Sequence, residues 1–190
     1  MKKTLLIALL LIPFFGISQT TKPIDGFLGI KFGASKAEVI ATVNTKGGTL
    51  DDESTDIDLY FANVSLGHRP AKYLHVKLFN GNAYSGIFVF EPENEASTIG
   101  YYDGLVSDIA GAYGKGKPTV IFNDPYKAGD GYETTALSES KGFMYTNWKS
   151  NDTSIQININ TKLSVVLIYT DDKVAAQAAA AQKAKEKSDF

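Results

Sequence analysis

Lys72 to Pro92 reads KYLHVKLFNGNAYSGIFVFEP, two runs of β-branched and aromatic residues on either side of Asn80-Gly81-Asn82. Asn-Gly is the strongest short-range hairpin signal, because a two-residue turn between antiparallel strands needs φ > 0 at both central positions. A chain built around this pair must contain an antiparallel sheet. Strict alternation away from a two-residue turn sorts the pair into two faces. Leu74, Val76 and Leu78, joined across the turn by Ile87 and Val89, are expected on the core face. Tyr73, His75, Lys77 and Phe79 are expected on the other, with Tyr84, Phe88 and Phe90 opposite them.

Upstream of the hairpin, Ser35-Lys36-Ala37-Glu38 forms a capping box. The Ser35 hydroxyl can take the N–H of Glu38 while the Glu38 carboxylate returns to the N–H of Ser35. Ala37, Ile40 and Val43 recur at helical spacing and Gly47-Gly48 supplies a stop, so a helix is expected from about Lys36 to Lys46. Leu59 to Leu66 is expected as a strand. Downstream, Tyr102, Leu105/Val106, Ile109 and Tyr113 form one helical stripe within Ser97 to Tyr113, capped by Ser97 or Thr98 and ended by Gly114. Gly100, Gly104 and Gly111 each cost up to ~1 kcal/mol there relative to Ala, so packing must hold this helix, and the glycines suit close approach to a sheet.

Strand signals resume after Lys117-Pro118. Strands are expected at Thr119 to Phe122, Gly131 to Leu137, Phe143 to Lys149, Thr153 to Asn160 and Leu163 to Thr170. The alternation is cleanest in Thr153 to Asn160, where Ile155, Ile157 and Ile159 share a face. Asp171-Asp172 then opens the tail VAAQAAAAQKAKEK, whose only large apolar residue is Val174. An exposed, loose helix is expected there.

The first eighteen residues have another character. Lys2 and Lys3 precede an apolar run from Leu5 to Phe15, and Gly16-Ile17-Ser18 offers small residues before Gln19. This is the three-part pattern of a secretory signal peptide, and the run is shorter than the ~18–20 residues a membrane span needs. The expected organisation is a signal peptide at 1–18, a polar leader at 19–25, one α+β domain at 26–170 and a tail at 171–190. The absence of cysteine excludes disulfides and N-terminal lipidation after cleavage. The mature chain of roughly 170 residues is long enough to stand on core packing alone. Without Lys2 and Lys3 it carries seventeen basic and twenty-one acidic residues, net −4. Nucleic acid and anionic membrane surfaces are therefore poor partners, and no later stretch reads as a transmembrane segment.

The phrase Gly33-Ala34-Ser35-Lys36-Ala37-Glu38-Val39-Ile40 resembles the helix start of β-lactamase inhibitor proteins and of small β-barrel assembly lipoproteins. That resemblance implies an exported α+β module binding another protein through an antiparallel sheet. The chain is also similar, down to its Phe-Asn-Gly-Asn-x-Tyr-Ser turn, to exported proteins of Bacteroidota, a likeness that implies a location and no activity.

The catalytic inventory is thin. Only His68 and His75 are present, with no spacing that puts them on one metal, and no G-x-S-x-G elbow places a serine. Gly114-Lys115-Gly116-Lys117 follows a helix instead of opening one, so it reads as a C-cap turn and not a phosphate loop. Asp51, Asp52, Glu53, Asp56 and Asp58 lack Ca²⁺-loop spacing, as does the segment from Asn123 to Glu133, and both read as solvated acidic loops. No cofactor is expected.

The expected fold is an antiparallel sheet of about seven strands with two packed helices and a loose C-terminal helix. A helix followed by about three strands occurs twice, the order an αβββ duplication would leave. The expected function is a non-catalytic binding module for a protein or cell-envelope component, with Tyr73, His75, Lys77, Tyr84, Phe88 and Phe90 as its surface. The competing readings are an envelope hydrolase with paired carboxylates, a structural protein without a ligand, and a second core face where the surface is placed.

Overall fold

The computed structural model describes residues 22–188. The expected signal peptide and residues 19–21 of the leader lie outside the described residues. A small antiparallel pair, β1 (Gly26–Phe27) and β2 (Ile30–Lys31), precedes α1 (Lys36–Thr45). Then come β3 (Thr49–Leu50), β4 (Asp58–Ala62), a short hairpin of β5 (Ser65–Leu66) and β6 (Arg69–Pro70), and the long hairpin β7 (Tyr73–Phe79) and β8 (Asn82–Phe90). A 3₁₀ turn at Glu95–Ser97 leads into α2 (Thr98–Tyr113), β9 (Lys117–Phe122) and α3 (Glu133–Ser138). The chain ends with β10 (Gly142–Ser150), β11 (Thr153–Ile159), β12 (Val165–Asp171) and α4 (Asp172–Ser188).

The fold is α+β, built on one eight-stranded sheet in the order β3-β4-β7-β8-β12-β11-β10-β9, with every neighbour antiparallel. Each half of the chain contributes a helix followed by four of these strands, one more than the sequence pattern suggested. The two meanders meet at their last strands, β8 against β12, with Ile87 opposite Ile168. No helix of the described residues is long and apolar enough to cross a membrane.

One face of the sheet holds the core. Leu59, Phe61, Leu74, Val76, Ile155, Ile157 and Leu167 are fully buried there. Against them α1 lays Val39 and Val43, and α2 lays Tyr102, Leu105 and Ile109, which is the expected stripe. The capping box of α1 is complete, with Ser35 N–H donating to Glu38 at 2.8 Å and Glu38 N–H to the Ser35 hydroxyl at 3.3 Å. The Ser35 N–H and the Ser35 hydroxyl both donate to the Glu38 carboxylate, and hold that carboxyl below its ordinary value. The approach to this helix is fastened to the hairpin turn, because Gly33 N–H donates to Ala83 O, Ala83 N–H to Ala34 O and Lys36 N–H to Gly81 O.

The hairpin turn forms as expected, with Asn80 at φ 50° and Gly81 at φ 79°. The facing of β8 does not. The pairing shifts register between Lys77 and Leu78, so that Leu78 lies opposite Ala83 but Lys77 opposite Ser85, leaving Tyr84 as an extra residue. A one-residue bulge moves every side chain beyond it to the other face. Phe88 therefore pairs with Leu74 and lies in the core with Phe90, both at 0% exposure, while Ile87 pairs with His75 and Val89 with Tyr73 on the opposite face. The expected grouping of Phe88 and Phe90 with Tyr73 and Tyr84 is corrected by that single insertion.

The bulge also creates the site of closest packing. Gly86 now faces the core opposite Val76, and Phe27 of β1 fills the space a side chain there would occupy, with ring carbons 2.5 Å from the position of a Cβ. Phe27 in turn meets the rings of Phe88 and Tyr169. By contrast Gly100 and Gly111 of α2 face open space, and Gly104 faces the Arg69 side chain, so the helix glycines do not serve approach to the sheet.

Two further expectations are corrected. The strand from Leu59 to Leu66 breaks at Asn63, which turns at φ 57° between β4 and β5. Gly131 to Leu137 is not a strand, since Glu133–Ser138 is helical. The Asp130 carboxylate accepts from the N–H groups of Lys127 and Tyr132, and Glu133 accepts from Gly129 N–H. These bonds wind the backbone into turns, and α3 then buries Ala136 and Leu137 against β10.

The corrected facing has a direct test. Phe88→Ala should lower unfolding free energy by about 3–5 kcal/mol, and Ile87→Ala by only about 1–2 kcal/mol because Ile87 stays half-exposed. Denaturant titration of the two variants checks this, and equal or reversed costs would restore the unbulged facing.

Candidate functional site

The sheet face opposite the core carries side chains in rows set by the register. The central row runs Tyr60, His75, Ile87, Ile168, Gln156 and Asn147 across β4, β7, β8, β12, β11 and β10. A second row runs Tyr73, Val89, Val166, Asn158 and Tyr145. The face therefore grades from aromatic through aliphatic to amide. At the amide end Gln156 donates to Asn147 at 2.9 Å and Asn158 donates to Gln156 at 3.2 Å.

The aromatic end is centred on β4 and β7. Tyr60 and His75, directly opposite each other, stack with ring centroids 4.4 Å apart and planes 16° apart. Tyr73 meets Tyr60 edge-on at 6.4 Å. Asp58 Oδ1 lies 2.6 Å from His75 Nε2, a contact that fixes the ring against Tyr60. Tyr84, the bulged residue, is half-exposed on the same side. Partial burial pushes the Tyr60 and Tyr84 hydroxyls above the ordinary tyrosine value, and the Asp58 carboxylate adds to both shifts. Asp58 thus ties His75 in place and biases two neighbouring tyrosines toward their neutral, hydrogen-bonding form.

Among the six expected residues, the structure brings Tyr73, His75, Lys77 and Tyr84 to this face, all half-exposed, and removes Phe88 and Phe90 to the core. Tyr60 and Asp58 were missed. The alternation of Leu59 and Phe61 marks β4 as a strand, but only the β4–β7 register places Tyr60 on His75. Helices α1 and α2 pack on the core side. On the open side, α4 comes near one end, where Ser154 donates to Asp172 at 2.7 Å and Val174, Ala175 and Ala178 are half-buried. The helix then runs on exposed.

A separate cleft of about 670 Å³ lies between β1 and β2, the β5–β6 hairpin and α2. It is lined by His68, Asp25 and Asp108 as well as apolar groups. Asp108 accepts from Arg69 Nε at 2.7 Å, and the Arg69 guanidinium sits 4.9 Å from the Tyr101 ring centre. This arrangement locks α2 to the β5–β6 hairpin. His68 lines the cleft and His75 the open face, so the two histidines serve different surfaces.

The acidic loops spend their carboxylates locally. Asp51 accepts from Glu53 N–H, Asp56 from the Lys36 ammonium, and Asp58 contacts His75. Among the described residues no three His, Asp or Glu side chains converge as a metal site would require. No family model, curated protein or solved structure matches the chain.

The electrostatic coupling at the aromatic end is measurable. Asp58→Asn should lower the pKa of Tyr60 and Tyr84, leaving both above the ordinary value because burial is the larger cause. NMR titration of the tyrosine ring carbons checks the shift, and unchanged midpoints would remove Asp58 from the cluster.

Proposed function

We propose that the chain is an exported, non-catalytic binding module that takes a protein or cell-envelope partner on the open face of its sheet. The observation that carries this reading is the contiguous half-exposed surface of Tyr60, Tyr73, His75, Tyr84, Ile87 and Ile168 on a face with the helices α1 and α2 behind it. An ordinary solvated sheet face alternates to polar residues; apolar and aromatic groups gathered on one side are the composition of recognition surfaces. Tyrosine suits the task, since its ring buries area while its hydroxyl stays able to bond. The side chains stand on strands held by cross-strand neighbours, so little entropy is lost when a partner arrives.

The likeness of the Gly33–Ile40 phrase to sheet-binding exported inhibitors and assembly lipoproteins supports the same reading, and the pattern of residues 1–18 supports export. A carboxylate hydrolase is less well supported. The cleft brings Asp25 and Asp108 into one lining, but Asp108 is engaged by Arg69, which suits a fixed ion pair and not a proton-transferring acid.

Photo-crosslinking amino acids at Tyr73 and Tyr84, with exposed Asn44 of α1 as control, test the surface in cells of the source organism. A discrete adduct from the two sheet positions and none from Asn44 is the expected result. No adduct at either sheet position, or the same adducts at Asn44, would sink the assignment. Sequencing of the exported chain should begin at Gln19, and an intact Met1 on exported protein would refute the processing expected here.

A further inference from the structure

The two edges of the main sheet are unequal. At one end β3 has only two residues, Thr49 and Leu50. At the other, β9 spans Lys117–Phe122 and, among the described residues, pairs with β10 on one side alone. Four of its six residues are exposed, with Val120 at 49% and Ile121 at 47%, and Phe143, cross-strand from Ile121, at 49%. Large apolar groups at a paired-out edge invite another strand.

The direction of the free backbone groups follows from the register. Pro118, opposite Thr146, has no N–H to give β10. Just past the strand, Asn123 N–H donates to Lys141 O at 2.8 Å. Odd-numbered residues therefore turn their N–H and C=O toward β10, and Pro118, Val120 and Phe122 turn theirs outward. Helices α2 and α3 pack on β11, β12 and β10, inboard of this edge.

We propose that β9 is a self-association edge, taking β9 of a second copy of this chain antiparallel about a two-fold axis through Val120. In that register Val120 of each copy exchanges both backbone bonds with its counterpart, and each Phe122 N–H donates to the opposite Pro118 C=O. Pro118 then presents a carbonyl where a carbonyl is needed. Ile121 of one copy lies beside Thr119 of the other, pairing two β-branched side chains. Charge selects a second copy over an unrelated strand. Lys115 and Lys117 flank one end of β9 and Asp124 the other, all exposed and without an ion pair among the described residues. Antiparallel self-pairing sets the lysine end of each strand against the aspartate end of its mate. The two-fold axis stands perpendicular to the sheet, so both open faces look to the same side and join into one surface. This assembly holds whatever the open face binds.

The natural chain has no cysteine, which makes the register testable by crosslinking. Thr119→Cys and Ile121→Cys proteins, mixed and mildly oxidised, should form a disulfide-linked dimer containing one of each, because residues at a non-hydrogen-bonded antiparallel position approach to about 4.5 Å between Cα atoms. Neither protein alone should crosslink comparably. Sedimentation of the mature wild-type chain should show a dimer, and Val120→Lys, which sets two ammonium groups side by side on the axis, should give a monomer with an unchanged far-ultraviolet circular dichroism spectrum. Lys117→Glu should weaken the dimer at least several-fold, and Asp124→Lys added to it should restore association. A wild-type monomer at every concentration overturns the proposal, as does a dimer indifferent to Val120→Lys or a disulfide that forms equally within each single variant.

Discussion

The extra residue at Tyr84 controls which side of β8 faces the core, and much of the molecule follows from it. Because side chains alternate with a period of two, one inserted residue exchanges the two faces for the rest of the strand. Phe88 and Phe90 are thereby delivered to the core, Gly86 is set beneath Phe27, and Ile87 is set beside His75. The neighbour β12 inherits the choice, since Leu167 pairs with Phe88 and Ile168 with Ile87. The bulge is thus a point where local backbone geometry sets the content of two surfaces. It also leaves Tyr84 itself on the open side, close enough for Asp58 to act on its hydroxyl.

The core and the open face are consequently made by the same strands with opposite chemistry. On the core side aliphatic and aromatic groups reach full burial against two helices. On the open side most groups are half-exposed, with Val89 and Ser85 buried among them, and polar atoms are paired within the face: Asp58 with His75, Gln156 with Asn147, Asn158 with Gln156. Pairing of this kind holds side chains in place beyond the part of the face that α4 reaches, which is the condition for a preorganised recognition surface.

The doubled helix-plus-four-strand order places β8 and β12 at the centre and β3 and β9 at the rims. The open face spans the strands between the rims, with its aromatic end on β4 and β7 and its aliphatic part on β8 and β12. The rims are where backbone groups go unpaired. The proposed roles divide accordingly, with recognition on the central face and self-association at the longer rim.

Much of this could be derived from residue order alone. Asn80-Gly81 dictates a tight turn with two positive φ values, Ser35 and Glu38 dictate the start of α1, and the spacing of Tyr102, Leu105 and Ile109 dictates the buried stripe of α2, because each of these depends only on neighbours a few residues away. Tertiary structure decided the rest. Strict alternation could not reveal the bulge at Tyr84, since a two-residue turn is compatible with either register and only packing of Phe88 and Phe90 under the helices selects one. The helical state of Glu133–Ser138 depended on carboxylates closing turns around Asp130 and on burial of Leu137, both invisible to β-propensity. The pairing of Tyr60 with His75 joins strands separated by the β5–β6 insertion, and no local rule fixes a register across such a gap. Local sequence determined most of the elements and one turn; burial of long-range partners decided which face each aromatic would occupy.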